Sequence, residues 1–165
     1  MVGAEGSPNA LRNVVGLAQL ELDAQMIVIC GRNQRLMRKV QRTRARIPVC
    51  ALGFVGYVAD LMRSADVLVT KAGGLTLAEA FCSGVAVVVH DVVPGQESGN
   101  LEYVLSQNAV VYAPSARALK QVIDGLYADP ARRRMLALRG AQLARPHAAE
   151  EIATAVLARL RPPSP

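Results

Sequence analysis

Three short segments of this 165-residue chain combine glycine with polar side chains in ways that suit an anionic, hydroxyl-rich ligand. The most informative is TKAGGLTLAEA, Thr70 to Ala80. Gly73 and Gly74 stand where a helix should begin. Backbone amides there, with Leu75 and Thr76, would form an anion site backed by the helix dipole. A diphosphate is a natural occupant. Glu79 falls about one turn beyond Thr76, where a carboxylate can accept two hydrogen bonds from a ribose. A glycine-rich turn followed by a solvated glutamate would read the same way.

The second segment, PGQESGN, spans Pro94 to Asn100. Adjacent Gln96 and Glu97 at a helix start can grip sugar hydroxyls, which both donate and accept. An acid in a first turn also suits the helix dipole with no ligand at all. The third segment, Gly3-Ala4-Glu5-Gly6-Ser7, joins a short strand to a helix. Gly3 and Gly6 would let backbone amides approach a phosphate or a partner surface. A plain tight turn serves equally well. The segment departs from the dinucleotide fingerprint: a third glycine is missing and no acid ends the next strand. A nicotinamide-dependent oxidoreductase is disfavoured accordingly.

These loops need strands before them and helices after them, and the sequence supplies both. Strand patterns occur at Met26–Ile29, Val49–Leu52, Val67–Thr70, Ala86–His90 and Ala109–Tyr112, with the tail of another at Met1–Val2. Helical patterns lie between them: Ser7-Pro8 onward, with Leu11, Val14, Val15 and Ala18 on one face; Asn33–Thr43; Val58–Ser64; Leu75–Ser83; and Gln96–Gln107. Three helices close the chain, from Ser115 to about Tyr127, from Asp129-Pro130 to about Ala144, and from Ala148 to Leu160. Alternation of this kind predicts an α/β fold, a Rossmann-like doubly wound parallel sheet of about six strands with C-terminal helices. Ligands of such sheets bind at the carboxyl ends of the strands, beside the switch in strand order. One domain is expected over 1–160, with a disordered tail at 161–165. The first strand is short enough that the chain is expected to begin inside an element.

Composition narrows the class. Hydrophobic residues make up 52% of the chain and aromatics only 4%, so the core must be aliphatic, which suits parallel strands covered on both faces. The longest apolar run, Val85–Val89, is about strand length, and no signal peptide is expected. Cys30, Cys50 and Cys82 lack metal spacing and read as buried reduced thiols of a cytoplasmic protein. The net charge is +6, and Arg32 to Arg46 holds seven basic residues with no acid. Aromatics are not interleaved with them, so no nucleic-acid partner is expected.

KAGGLTLAEA followed by PGQESGN resembles the donor domain of monogalactosyldiacylglycerol synthases and processive diacylglycerol glucosyltransferases. These are grouped with the peptidoglycan N-acetylglucosaminyltransferase among GT-B glycosyltransferases. VICGRN at Val28–Asn33, LGFVGYVADLMRSADVLVTKAGG at Leu52–Gly74 and the closing helices are similar to the same group. The resemblance implies a UDP-sugar-binding domain of an inverting, metal-independent hexosyltransferase with a lipid acceptor such as diacylglycerol. It places the uracil at Gly53-Phe54-Val55 and the diphosphate at Gly73, Gly74, Leu75 and Thr76. It puts the ribose at Glu79 and the sugar at Gln96 and Glu97, with Asn100 as a neighbour. Gly3 to Gly6 would face an interdomain cleft. No catalytic residue, metal or cofactor is expected in this chain, because acceptor site and base belong to an N-terminal acceptor domain that is absent here. His90 and His147 are not credible bases by position. A donor-binding subunit of a two-subunit enzyme and a non-catalytic nucleotide-sugar module remain alternatives, and glucose, galactose and N-acetylglucosamine all fit Gln96 and Glu97. The arginine-rich segment then acquires a second reading besides a solvated face: contact with an anionic membrane, the protein being peripheral at its inner face.

Overall fold

The computed structural model describes residues 9–160. The expectations for Met1–Val2, for the Gly3–Gly6 loop with its Ser7-Pro8 cap, and for the tail at 161–165 lie outside the described residues.

Helix and strand alternate in the expected order: α1 (Ala10–Ala18), β1 (Met26–Ile29), α2 (Gln34–Gln41), β2 (Val49–Leu52), α3 (Val58–Ser64), β3 (Val67–Lys71), α4 (Gly74–Ser83), β4 (Ala86–Asp91), α5 (Ser98–Ser106), β5 (Val110–Tyr112), then α6 (Ala116–Ala128), α7 (Pro130–Gln142) and α8 (Ala148–Leu160). Local chemistry sets the boundaries. Asn33 accepts from Leu36 N, Ser115 from Ala118 N and Asp129 from Arg132 N, each satisfying one orphan amide of its helix. Gly84 ends α4 at φ 69°, a left-handed value that L side chains rarely adopt.

Every pairing is parallel. β1 pairs with β2 from Met26–Val49 to Ile29–Leu52, and β3, β4 and β5 pair in that order. Among the described residues there are thus five strands in two sheets, where a single sheet of about six is expected from the sequence. Among the described residues β1 and β3 are not paired, and a cleft of about 720 Å³ is lined by residues of both strands and of α1 and α6.

β4 shows why the sheet is aliphatic. Ala86 to His90 are all buried. Val87 and Val89 pack on one face with Leu77, Ala80 and Phe81 of α4 and Leu101 and Val104 of α5. Ala86 and Val88 pack on the other with Leu119, Leu126 and Leu136 of α6 and α7. The alternation has the strand's own period of two, and each face is covered by helices. A third cluster joins α1 and α2 to β1 through Val14, Val28, Leu36 and Val40.

Some expectations are corrected. Val15 is exposed and Asn13 is buried in its stead, so α1 turns a polar residue inward. Only Cys30 is buried. Cys50 and Cys82 are exposed, the first pointing outward from β2 and the second lying on the open face of α4. Burial raises the Cys30 pKa, which keeps its thiol protonated near neutrality.

Candidate functional site

The strands run parallel, so the loop after each strand opens on the carboxyl edge of its sheet. α3 and α4 pack together, with Ser83 Oγ 3.9 Å from Met62 Sδ near the C-terminal ends of both. The loops that precede them are Gly53–Tyr57 and Ala72–Gly73.

The β3–α4 loop has the features of an anion site. Gly73 is the N-cap of α4 and offers no side-chain acceptor to the first turn. The amides of Gly74, Leu75 and Thr76 are therefore left to a ligand or to water. Leu75 is 84% exposed, unusual for leucine, and marks how open this turn is. Glu79 is exposed on the next turn. Its main-chain carbonyl accepts from Ser83 Oγ, and no described side chain engages its carboxylate.

The β4–α5 loop is laced to the first. Asn100 Nδ2 donates to Ala72 O at 3.1 Å, and Ala72 N donates to Asp91 O at 3.2 Å. Glu97 is buried. Its Oε2 accepts from Val93 N at 2.9 Å, and its Oε1 receives Lys71 Nζ at 3.3 Å. A Cβ at Gly73 would stand 3.5 Å from that Oε1, and one at Gly74 would stand 3.4 Å from Asn100 Nδ2. Both distances are ordinary van der Waals contacts, so the two loops lie side by side at Gly73 and Gly74. Of the two sugar candidates, Gln96 presents an exposed side chain at the rim, whereas Glu97 commits one oxygen to Val93 N in its own loop and the other to Lys71 at the end of β3.

The third described segment, Gly53-Phe54-Val55, follows β2. Phe54 is 74% exposed, with the Arg32 guanidinium 5.7 Å from its ring centroid. Gly53 sits against Gly31 O and Met37 Sδ, which ties this loop to the start of α2.

Two features leave no signal in the sequence. Lys71, the last residue of β3, supplies the cation that holds Glu97. His90 lies at an irregularity in the β3–β4 pairing, where Thr70 pairs with Val89 but Lys71 with Asp91. Such bulges re-aim side chains. His90 is 7% exposed, and Asn13 Nδ2 donates to its Nδ1 at 3.0 Å. Burial lowers its pKa, which favours the neutral ring. His147 is exposed and 3.8 Å from Glu150. Among the described residues no group of three metal-ligating side chains comes together.

The model of the glycosyl transferases group 1 family matches residues 4–142, which include all of these loops. The chain belongs to this glycosyltransferase family. It is 37% identical over 129 residues to the probable chloroplastic monogalactosyldiacylglycerol synthase 2 of Oryza sativa subsp. indica, covering 78% of this chain and 28% of that protein. It is 36% identical over 121 residues to the chloroplastic monogalactosyldiacylglycerol synthase of Spinacia oleracea, covering 73% and 23%. The chain thus spans about a quarter of these curated relatives. The crystal structure of Acinetobacter baumannii MurG superposes with a TM-score of 0.75 at 21% identity, over 95% of this chain and 47% of that one. WaaG, a glycosyltransferase involved in lipopolysaccharide biosynthesis, gives 0.64 at 19% identity, over 92% and 45%. The fold is that of one half of a GT-B glycosyltransferase.

Proposed function

We propose that this chain binds a UDP-sugar and serves as the donor-binding half of an inverting glycosyltransferase whose acceptor is a lipid such as diacylglycerol. The observation that carries the reading is the N-terminus of α4. Gly73 caps it without a side-chain acceptor, three first-turn amides are open, and Glu79 stands unengaged one turn on. A diphosphate on the amides and a ribose on Glu79 would span that distance. The uracil would lie at Phe54-Val55, and the sugar would face Gln96 and Asn100.

In transfer, an acceptor hydroxyl attacks the anomeric carbon, its proton passes to a base, and the bond to UDP breaks on the opposite face. Charge then grows on the departing diphosphate. Oriented amides at a helix N-terminus stabilise such charge without reorganising, and electrostatic help of this kind accounts for much of the acceleration in many group-transfer enzymes. The base is not among the described residues on this reading. His90 is neutral, buried and already bound to Asn13, and His147 lies before α8. The remaining length of the relatives, in one chain or as a separate subunit, would supply base and acceptor groove.

Calorimetric titration with UDP-glucose, UDP-galactose, UDP-N-acetylglucosamine and NAD tests the reading. Saturable binding of at least one UDP-sugar, none of NAD, and no transfer to diacylglycerol until the complementary half is added are expected. Turnover by this purified chain alone would overturn the division of labour.

A further inference from the structure

The peptide unit between Ala72 and Gly73 leads into the open first turn of α4. The unit before it is fixed, because buried Ala72 donates its N–H to Asp91 O at 3.2 Å. The Ala72–Gly73 unit itself has one bond among the described residues, from Asn100 Nδ2 to Ala72 O at 3.1 Å. Gly73 N, in the same plane, donates to no described group. A peptide unit is planar, so holding its carbonyl also fixes the direction of its N–H. Glycine at 73 resists rotation less than any other residue would. A carbonyl can only accept, so Asn100 must turn its NH₂ toward Ala72. The backbone of Asn100 is anchored in turn. It lies in the first turn of α5, beside Leu101, which packs with Val104 in the core cluster that holds Val87 and Val89 of β4.

We propose that Asn100 is a positioning residue for the diphosphate, acting through the Ala72 carbonyl on the peptide that opens α4. The inference rests on the donor-binding reading above and gives Asn100 a task apart from facing the sugar. Donors already oriented for an anion need no reorganisation when it arrives. A loop free to turn about Gly73 would have to be ordered by the ligand, which lowers affinity. The bond also joins the β4–α5 loop, which carries the sugar candidates, to the β3–α4 loop, which carries the anion site. A change at residue 100 is therefore felt at a subsite formed by the neighbouring loop.

The test compares the parent chain with N100A and N100L, which both remove the donor, the second with a side chain of the same branched shape. Urea melts establish that each variant folds. Calorimetry is run with UDP, with inorganic pyrophosphate and with UDP-galactose. All three should bind about tenfold more weakly to both variants. Hydrogen exchange reads the same loosening without any ligand. The Leu77 N–H donates to Gly73 O at 3.0 Å, and its exchange should quicken about tenfold while the Val87–Val89 amides keep their protection. A loss confined to UDP-galactose, with pyrophosphate affinity unchanged, would leave Asn100 a sugar contact only and overturn the proposal. Equal acceleration at Leu77 and Val88 would also overturn it, since that marks a general loss of stability. A parent chain that binds neither UDP nor pyrophosphate would remove the donor reading and the proposal with it. A parent that binds both, with variants that match it, would remove only the role of Asn100.

Discussion

Two glutamates on the same sheet edge should respond to one substitution in opposite ways. Glu97 is buried and bonded both to Val93 N and to Lys71 Nζ, while Glu79 is exposed and bonded by no described side chain. Glutamine at 97 keeps a carbonyl oxygen for Val93 N–H but turns an amide NH₂ toward the Lys71 ammonium. The turn survives and the ion pair is lost. Exposed pairs contribute about 0–1 kcal/mol and fully buried ones cost about 3–5 when broken. With side chains 24% and 10% exposed, the Lys71–Glu97 pair falls between these limits. Glu97→Gln should therefore cost about 1–2.5 kcal/mol of stability. Glu97→Ala also strands the Val93 N–H and should cost about 2–4. A double-mutant cycle with Lys71→Met isolates the pair, with a coupling of about 1–2 kcal/mol. Glu79→Gln should leave stability within about 0.5 kcal/mol. It should weaken UDP binding by about 1.5–3 kcal/mol, since a charge-assisted bond to ribose is reduced to a neutral one. Urea midpoints read the first effect and calorimetry the second. An unchanged midpoint in Glu97→Gln would mean that the pair does not hold the loop. Unchanged UDP affinity in Glu79→Gln would reduce Glu79 to a solvated helix residue.

Other expectations follow from the core. Gly140 of α7 lies so close to Phe81 that an added Cβ would stand 2.7 Å from Cδ1 of the ring, so Gly140→Ala should destabilise by about 1–3 kcal/mol in denaturant melts despite alanine's better helix propensity. His90 has a folded pKa below its unfolded value of about 6.5, so its contribution is complete above that value and is lost as pH falls toward the folded one. Between the two values the unfolded chain binds the extra proton, and stability should fall by up to about 1.4 kcal/mol per pH unit on acidification. His90→Asn retains an acceptor for Asn13 without titrating, and urea midpoints from pH 8 to 5 should show a shallower decline.

Most elements were legible from sequence because local chemistry marks them. Asn33, Ser115, Asp129-Pro130 and Gly84 bracket helices with groups whose capping role depends on neighbours a few residues away. The aliphatic run around Val87 could only be a strand covered on both faces. The interactions that organise the site are long-range and left no local mark. Lys71 reaches Glu97 across 26 positions, and Asn13 reaches His90 across 77. Helical periodicity placed Val15 on the inner face, but that pattern cannot reveal a buried histidine waiting for an amide. Glu97 was legible as a site residue by type and position, and its inward turn was not, because only the folded loop brings Lys71 beside it. For the cysteines, residue type alone suggested burial, and the outward register of β2 exposes Cys50.

The central claim is that the loops around Gly73, Gly74 and Glu79 hold a uridine diphosphate. Thermal and urea melts of this chain with UDP, and with NAD as the control, test it most directly. At about 100 times its dissociation constant UDP should add about 2.7 kcal/mol to the folded state, and NAD should add nothing. A cooperatively folded chain whose melting is unmoved by millimolar UDP, or is moved equally by NAD, would contradict the account.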